Sequence, residues 1–421
     1  MLDIKYIREN PKLVNTNCKN RGVKVDIDIL LGFDEEIRQI KTELQGLQEE
    51  RNKKSKTKPT DEEIIHIKKV GEAIKILESK LNGKQAEFLN LINQIPNLTH
   101  PDVKISKHED DNPVMETFGK PTEFNFKPKD HVKLATDLDL IDLDRAAKVT
   151  GNKFYYFKNE LTIMELALLR YTLDVIMKYG YTPITTPDLA RTEVVQNMGF
   201  NPRGESTQIY NIQDTDLSLI GTAEITLGGY HLDEILDIKE LPKKYVAISH
   251  CFRTEAGSYS KFSKGIFRVH QFTKVEMFVY SIPEKSEAMH AEMLEIEKEI
   301  FKGLGIPFRI VDHSTADLGT PASRTFDLEG WLPGKPNQDG KNGDWAELTS
   351  TSNCTDYQAR SMNIKYRDGK KNELVHTLNG TGIAIPRAII AILENYQQAD
   401  GSITIPKVLK KYMNLKKIKA K

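Results

Sequence analysis

The sequence predicts an α+β protein: an N-terminal antiparallel helical hairpin (a coiled-coil arm), then a domain with an antiparallel β-sheet flanked by helices. Three observations support this fold class. Apolar residues recur at spacings of three and four through much of the first 95 residues, which is typical of packed helices. Beyond about residue 113, strand patterns alternate with helical ones. No glycine-rich phosphate loop of a parallel βαβ fold follows any strand, which favours an antiparallel sheet.

The overall composition leaves the type of partner open. The chain has 421 residues, enough for two or three domains, and its 60 basic residues balance 60 acidic ones. A balanced charge neither indicates nor excludes a nucleic-acid partner, because a local basic patch is sufficient. Cys18, Cys251 and Cys354 are far apart and lack metal-ligand spacing, which fits a reducing compartment. No apolar run has the length of a signal peptide or a membrane span, so we expect a soluble cytoplasmic protein without a membrane partner.

Two heptad patterns predict the hairpin. Each helix should have roughly 25–35 residues, and at 1.5 Å per residue the arm should be about 40–50 Å long. Between them, residues 53–61 contain Pro59, which stops a helix, and Thr60, which can cap the next helix together with Glu63. The heptads alone also fit a coiled coil that dimerises, but the basic tip with its proline favours an intramolecular hairpin. The heptad residues are Leu30, Phe33, Ile37, Ile40, Leu44 and Leu47, then Ile67, Val70, Ile74, Leu77, Leu81, Phe88, Leu91 and Ile95.

The linker and the remaining elements follow from proline content and periodicity. A short helix over residues 3–15, with Asp3 as its N-cap, precedes the arm. Residues 96–130 are polar and contain five prolines, so we divide the chain into an arm of residues 1–110 and a domain of residues 111–421. The Lys-rich C-terminal end is interpreted as a solvated tail over residues 407–421. Helices are predicted at residues 160–180 and 283–304, an edge strand at 181–187, and further strands at 244–248, 265–269, 273–280 and 308–311.

Two segments of the second domain carry side chains suited to binding a small polar molecule. Thr222 and Glu224 could bind an amino group and a hydroxyl, although ordinary helix capping by Thr222 explains the same residues. Arg253 and Glu255 end a strand that precedes a polar loop. The guanidinium fork of arginine fits phosphate and carboxylate oxygens, and Phe272 on the return strand offers a ring face for a base. The alternative is a surface ion pair between Arg253 and Glu255.

Two later segments are suited to phosphate. Residues 344–353 offer Glu347 and several hydroxyls, and a carboxylate beside a triphosphate commonly holds Mg²⁺; a capped turn is the alternative. In residues 378–387, Gly380 and Gly382 permit close backbone approach, and Arg387 begins a helix, where the helix dipole favours anions. This segment has neither a Walker A nor a Rossmann pattern.

Taken together and in this order, these segments resemble the class II aminoacyl-tRNA synthetases, and specifically the seryl-tRNA synthetase family. Residues 160–187 resemble motif 1, residues 252–276 motif 2 in its seryl form, and residues 378–387 motif 3. Residues 1–11 and the hairpin also resemble this family, so the resemblance covers essentially the whole chain. Each segment alone allows a plain structural interpretation, but together they are highly specific.

The resemblance implies a bacterial-type serine–tRNA ligase that forms seryl-adenylate from ATP and L-serine and then transfers the seryl group to tRNA. Arg253 would bridge the α-phosphate and the serine carboxylate, Glu255 would contact the adenine end, and Phe272 would stack on the base. Arg387 would hold the γ-phosphate. The serine pocket would contain Thr222, Ala223, Glu224, Glu276 and Thr381. The ATP site would also include Thr254, Val269, Leu348 and Thr349, and Mg²⁺ on the phosphates would be coordinated by Glu347 and Ser350.

The resemblance also implies the partners. The protein would be a homodimer through residues 160–187, with each arm binding tRNA(Ser) for an active site across the dimer, and tRNA(Sec) would be charged by the same route. Three departures from bacterial relatives are Lys261 and Lys264 in the motif 2 loop, an insertion at residues 333–344, and Pro386 where glycine is common.

Two other functions remain open at this stage. A related ligase could charge a carrier protein, but the intact arm argues against it. A non-catalytic RNA-binding or scaffold paralogue would have no use for Arg253, Glu347 and Arg387 together.

Overall fold

The computed structural model describes residues 1–54, 60–200, 208–256 and 262–419. Contacts divide the chain into two compact units, Met1–Leu98 and Thr99–Lys421. The described part of the first unit is helical, and the second contains a large, mainly antiparallel sheet with helices. The predicted fold class is therefore confirmed.

The described helices of the N-terminal unit begin just after Asp3, whose carboxylate caps the first of them, as predicted, by accepting a hydrogen bond from Lys5 N at 2.7 Å. The single helix predicted over residues 3–15 is instead two helices. The backbone leaves the helical conformation at Asn10 (φ −130°, ψ 44°). A second helix begins at Pro11, because proline is favoured in the first helical turn. The helices are α1 (Ile4–Glu9), α2 (Pro11–Asn20), α3 (Ile27–Lys54) and α4 (Asp61–Ile92).

Helices α3 and α4 pack against each other as an intramolecular hairpin. Their lengths, 28 and 32 residues, are within the predicted range. The capping box that was predicted at the start of α4 is present, with Thr60 N donating to Glu63 Oε2 at 2.8 Å and Glu63 N donating to Thr60 Oγ1 at 3.3 Å. Within the predicted tip, residues 55–59 are outside the described part of the chain. The apolar seam consists of Ile40, Leu44, Val70 and Ile74, with Leu47, Leu77 and Leu81 partly buried beside them.

The C-terminal unit is built around an eight-stranded sheet with the order β1-β11-β12-β13-β16-β10-β9-β4. Neighbouring strands are antiparallel, except that β4 at one edge runs parallel to β9. The strands of this unit are β1 (Val114–Phe118), β2 (Ile141–Asp142), β3 (Tyr156–Phe157), β4 (Thr182–Thr185), β5 (Leu189–Arg191), β6 (Tyr210–Asn211), β7 (Leu217–Leu219), β8 (Ile235–Asp237), β9 (Lys243–Phe252), β10 (Gln271–Ser281), β11 (Phe308–Asp312), β12 (Arg324–Pro336), β13 (Asn342–Asn353), β14 (Lys365–Asp368), β15 (Lys371–Leu374), β16 (His376–Ala384), β17 (Ile403–Thr404) and β18 (Lys417–Ile418).

Helices cover the sheet and bury its apolar side chains. Its main core includes Leu168, Ile300 and Ile389, which belong to three different helices, together with strand residues such as Val246 and Val279. A second cluster forms around Phe278 and Tyr280 of β10. The helices are α5 (His131–Asp137), α6 (Leu143–Val149), α7 (Glu160–Ile176), α8 (Thr192–Asn197), α9 (Glu224–Gly228), α10 (Pro283–Leu304), α11 (Tyr357–Ser361), α12 (Ile385–Asn395) and α13 (Lys410–Met413).

Several predictions for this unit are confirmed. Helix α7 and helix α10 occupy the predicted positions, and Gly180, with φ +80°, ends the short 3₁₀ turn that follows α7. The edge strand is β4, and the strands predicted at 244–248, 273–280 and 308–311 are parts of β9, β10 and β11.

Three predictions about strands and irregular segments of this unit are wrong. Residues 265–269 form turns rather than a strand, because β9 pairs with β10 only from Gln271 onward; Ile266 and Val269 are nevertheless buried. The supposed solvated tail over 407–421 is packed through residue 418, since Leu409, Met413 and Ile418 are buried. The linker predicted over residues 96–130 contains a strand, β1, which pairs with β11.

Residues 333–344, which the resemblance interprets as an insertion, form the end of a β-hairpin. It comprises the end of β12, a turn closed by Asn337 N donating to Lys341 O at 2.8 Å, and the start of β13. Among the described residues, every helix is too short or too polar to cross a bilayer.

Candidate active site

A cavity of about 510 Å³ opens over strands β10, β13 and β16. It brings together nine of the residues that the sequence singled out, although they come from distant segments. Within the described chain, these nine are Arg253, Glu255, Val269, Phe272, Glu347, Leu348, Thr349, Thr381 and Arg387.

Arg253 follows directly after β9 and lies at one wall of this cavity. Its Nε donates to Gly221 O at 3.2 Å, and its guanidinium lies 5.3 Å from the centre of the Phe272 ring. Glu255, which has φ +51°, forms an ion pair with Arg268 at 3.3 Å. The alternative of a surface pair between Arg253 and Glu255 is thus wrong, because each has a different partner inside the pocket. The loop predicted after this segment covers residues 258–265, of which 258–261 are outside the described residues.

Glu347 and Arg387 also line this cavity. Arg387 is the third residue of α12, and its Nη1 lies 2.8 Å from Glu347 Oε1 and donates to Glu347 O at 3.0 Å. The guanidinium also lies 4.8 Å from the centre of the Phe267 ring. Partial burial acts to raise the pKa of Glu347, but the charge and hydrogen bond of Arg387 outweigh it and hold this pKa below its usual range. The capped turn considered for residues 344–353 is wrong, since they form most of β13.

The glycines near Arg387 serve packing. Gly380 and Gly382 are in β16. A Cβ at Gly380 would lie 3.0 Å from Met293 Cε of α10, and one at Gly382 would lie 2.7 Å from Ile176 Cδ1 of α7. The close approach predicted from these glycines is therefore made by helices beneath the sheet. Thr381, between them, is on the cavity side.

A second cavity, of about 920 Å³, adjoins the first and shares Arg253, Glu255 and Arg268 with it. Gly221 and Ile225, which flank residues 222–224, line it. Thr254 N is tied to Gln208 O at 3.4 Å beside it.

Glu224 is buried at the N-terminus of α9. Its N–H donates to Thr222 Oγ1 at 3.2 Å, so Thr222 makes the local bond expected of a helix start, and Ala223 between them is fully buried. Glu224 Oε1 accepts hydrogen bonds from Gln358 Nε2 at 2.7 Å and from Asn379 Nδ2 at 3.0 Å. Burial, followed by the negative charge of Glu276, raises the pKa of Glu224 to about 7. This carboxyl therefore titrates near neutral pH.

Lys274, Glu276 and Thr381 form a buried polar group on β10 and β16. Glu276 and Thr381 are paired across the two strands, and Thr381 Oγ1 donates to Glu276 Oε2 at 3.3 Å. Lys274 forms an ion pair with Glu276 and donates to Thr381 Oγ1 at 3.4 Å. Sequence reasoning missed Lys274 and Gln358. The available signal for Lys274 was that it and Glu276, two residues apart, place two charges on one face of an otherwise apolar strand.

Acidic and hydroxyl groups also lie around the β13 segment. Thr349 Oγ1 donates to Glu297 Oε2 at 2.9 Å, and burial raises the pKa of Glu297 well above its usual value. Ser350 is paired with Asp327 across β12 and β13. His313 Nε2 lies 3.0 Å from Asp327 Oδ2. Burial opposes the charge of His313, but Asp327 outweighs it and raises the His313 pKa to about 9.

The far end of α12 is fixed by Glu394. Its Oε1 accepts from His131 N at 3.0 Å and lies 2.9 Å from His131 Nδ1, while its Oε2 accepts from Gly334 N at 2.7 Å. The next residue, Asn395, donates to Trp331 O at 2.8 Å. The helix that begins with the Arg387 turn is thus anchored at its C-terminal end to α5 and β12.

Two protein families and a curated relative that match this chain belong to the aminoacyl-tRNA synthetases. Residues 208–396 match the family described as tRNA synthetase class II core domain (G, H, P, S and T), and residues 1–99 match the seryl-tRNA synthetase N-terminal domain. A curated protein of Treponema denticola, named serine–tRNA ligase, is 49% identical over 99% of this chain and 100% of its own length.

Solved structures agree with this family assignment. Seryl-tRNA synthetase from Pyrococcus horikoshii, complexed with ATP, has a TM-score of 0.87 and 41% identity, covering 100% of both chains. Cytoplasmic serine–tRNA ligase from Naegleria fowleri, in complex with AMP, has a TM-score of 0.84 and 33% identity over 100% of this chain and 99% of that one.

Proposed function

This chain belongs to the seryl-tRNA synthetase family and is a serine–tRNA ligase, and from that premise we propose that the cavity between Arg253 and Arg387 is its catalytic centre. One observation carries this proposal. Two arginines, from the end of β9 and the first turn of α12, enter the same cavity of about 510 Å³, with the carboxylate of Glu347 beside the second of them. Such an arrangement holds a polyanion at two points and leaves space for an aromatic base.

We assign the ATP-binding roles by position in the cavity. Arg253 bridges the α-phosphate and the serine carboxylate, and Arg387, at a helix N-terminus, holds the γ-phosphate. Glu255 and Thr254 contact the adenine end, and Phe272 stacks on the base. Val269, Leu348 and Thr349 complete the lining.

The serine pocket is proposed to lie beside the nucleotide, around the buried groups Thr222, Ala223, Glu224, Glu276 and Thr381. Each of its polar side chains is oriented by a hydrogen bond or ion pair within the protein, and a hydroxyl or carboxylate has further hydrogen-bonding positions that a substrate can fill. A site built to bond a substrate hydroxyl leaves buried polar groups unpaired when that hydroxyl is missing. Such sites can reject the missing-hydroxyl analogue, here alanine, by about 10⁴–10⁵.

The reaction consists of two displacements. The serine carboxylate attacks the α-phosphorus of ATP in line with the departing pyrophosphate, giving seryl-adenylate. The terminal ribose hydroxyl of tRNA then attacks the seryl carbonyl carbon and releases AMP. The first step depends on alignment and charge neutralisation more than on a dedicated base, and the two arginines supply both.

Mg²⁺ is proposed to accompany ATP. Among the residues that the structure describes, no three His, Cys, Asp or Glu side chains are grouped so that they could hold a metal ion. Glu347 and Ser350 are hard oxygen donors, and Mg²⁺ is typically held by one or two protein oxygens together with substrate phosphates and water. These residues therefore fit an ion that arrives with the nucleotide, where it would neutralise phosphate charge.

A homodimer is proposed to form through the motif 1 region. Helix α7 leaves Ile163 and Leu166 exposed, at 46% and 60%, and Met177 just after it is 45% exposed. A second copy of the chain would cover this apolar face. Light scattering on the purified protein should give the mass of two chains; the mass of one chain would contradict this.

The N-terminal arm is proposed to bind tRNA(Ser), and tRNA(Sec) by the same route, for an active site across the dimer. This rests on the match of residues 1–99 to the family's N-terminal domain. We place the enzyme in the cytoplasm because Cys18, Cys251 and Cys354 are buried thiols, as in a reducing compartment; recovery of the tagged chain in a membrane or secreted fraction would contradict this.

Serine-dependent exchange of pyrophosphate into ATP tests the assignment of the catalytic centre. Arg253→Ala should reduce the exchange rate by about 10²–10³, the usual cost of removing one preorganised charge-stabilising group. Arg309→Ala is the control, since Arg309 pairs with Glu329 and lies against Trp345 outside the cavity. Exchange at the unmodified rate in Arg253→Ala would show that the centre is elsewhere.

A further inference from the structure

Gln358 is buried on α11, with 1% of its surface exposed, and none of the site assignments above includes it. Both its amide nitrogen and its amide oxygen form hydrogen bonds within the protein. Nε2 donates to Met198 O at 3.2 Å and to Glu224 Oε1 at 2.7 Å, while Oε1 accepts from Thr377 Oγ1 at 2.7 Å. Because a buried amide has two donor hydrogens and one acceptor oxygen to satisfy, this arrangement meets its requirements.

The neighbours fix which end of the amide faces Glu224. If the amide were turned over, its oxygen would face two acceptors, Met198 O and Glu224 Oε1, and its NH₂ would face the hydroxyl of Thr377. Two repulsive acceptor contacts would then replace two hydrogen bonds. An N–H of Gln358 must therefore point at Glu224.

Asn379 supplies a second N–H to the same oxygen, at 3.0 Å. With two donors already directed at it, Oε1 can act only as an acceptor. Any proton on this carboxyl must be on Oε2, and Oε2 is the oxygen left to bind a substrate. We propose that Gln358 is a positioning residue for serine: it orients Glu224 so that Oε2 receives the substrate, and it favours the ionised form that accepts the serine ammonium.

This role rests on the proposed serine pocket, in which Gln358 would orient the carboxyl of Glu224. The charged groups that face Glu224 are Glu276 and Lys274 from β10 and Arg253 from the end of β9. Burial and Glu276 raise the pKa of Glu224 to about 7, and the hydrogen bond from Gln358 acts in the opposite direction. Loss of this donor should raise the pKa further, so that less of the enzyme carries the carboxylate at neutral pH.

The test is Gln358→Met, which keeps the length of the side chain and removes the donor. The measured quantities are kcat/KM for serine and KM for ATP in pyrophosphate exchange between pH 6 and 9. In the unmodified enzyme, kcat/KM for serine should fall as the pH decreases through about 7, the pKa of Glu224. In Gln358→Met this midpoint should move to higher pH, and kcat/KM for serine at pH 7 should drop by about ten- to a hundred-fold, the usual effect of a hydrogen bond to a charged group. KM for ATP should stay the same.

Gln397→Met is a matched control. Gln397 is equally buried, at 2%, and its amide is also fully used, but its partners are the backbone of Lys129 and Glu394 O. It should leave the pH midpoint unchanged. Thr377→Val offers a second variant that keeps Gln358 but frees its amide to turn, and it should move the midpoint in the same direction by a smaller amount.

An unmoved midpoint in Gln358→Met, or equal losses for serine and ATP, would overturn the inference and leave the catalytic assignment intact. If the unmodified enzyme shows no serine-dependent exchange, the proposed centre itself fails instead.

Discussion

Glu224→Gln should make the catalytic unit more stable while impairing its use of serine. The folded-state pKa of Glu224, about 7, is above its ordinary value of 4.5, so the folded protein holds a proton that the unfolded chain releases. Stability is therefore lost as the pH rises from 4.5 to 7, and it stays at the lower level above that. The interval between these two pKa values, at 1.36 kcal/mol for each pH unit, corresponds to about 3 kcal/mol. Glutamine keeps an oxygen for the Gln358 and Asn379 donors but never ionises.

Urea unfolding followed by tryptophan fluorescence measures this effect. The chain has two tryptophans, Trp331 and Trp345, whose rings are 5.3 Å apart in the C-terminal unit, so the signal reports that unit alone. The free energy of unfolding of Glu224→Gln should exceed that of the unmodified protein by about 3 kcal/mol at pH 7.5 and by little at pH 4.5. Glu329→Gln, at the sheet surface beside Arg309, is the control.

The pH dependence of this difference in unfolding free energy tests whether the pKa of Glu224 is raised in the folded protein. An equal gain at pH 4.5 and pH 7.5 would show that the glutamine acts through packing rather than through ionisation. A loss of stability at pH 7.5 would refute the assignment of a raised pKa to Glu224. The same variant should have a much higher KM for serine in pyrophosphate exchange, because the ammonium of serine loses its counter-charge.

Two further predictions concern packing and the arm. Gly380→Ala should destabilise the C-terminal unit by about 1–3 kcal/mol in the same urea assay, since its Cβ would lie within 3.1 Å of three side chains. Gly319→Ala in the same unit, with nothing within 4 Å of its Cβ, should be neutral or slightly stabilising, and equal effects at both positions would contradict this account. Removal of residues 30–95 should leave pyrophosphate exchange intact and abolish charging of serine tRNA, and equal loss of both activities would show that the arm is needed for more than binding tRNA.

The hairpin could be predicted from the sequence because each helix has its own periodic seam and because α4 starts with a local capping box. Neither signal depends on distant parts of the chain. The sequence also allowed a dimerising coiled coil, because a heptad pattern does not show whether the partner helix belongs to the same chain or to a second copy. The contact between α3 and α4 accounts for the heptads within one chain.

Arg253 and Arg387 could be placed at the site because their flanking segments resemble known motifs. The errors arose where long-range pairing overrides local pattern. Residues 265–269 look like a strand by alternation, but the register of β9 with β10 leaves them without a partner strand. Residues 344–353 look like a turn because they are polar, yet their neighbours β12 and β16 pair with them on both sides.

Gln358 could not be identified from sequence. A lone glutamine in a short helix carries no periodic signal, and its function depends on Met198, Glu224 and Thr377, which are distant in sequence or on other elements. Only the folded chain shows that its amide has one permitted orientation.

The anchoring of α12 has a consequence for how this protein can change its surface. Glu394 and Asn395 grip β12 at Gly334 and Trp331, ahead of the hairpin turn at residues 337–341. Because these two hydrogen bonds fix β12 at Gly334 and Trp331, a change in the length of that turn should not displace the helix that carries Arg387. We therefore expect that segments can be added or removed at this tip while Arg387, at the N-terminal end of the helix, keeps its place, so that the hairpin can acquire new surface without moving this side chain.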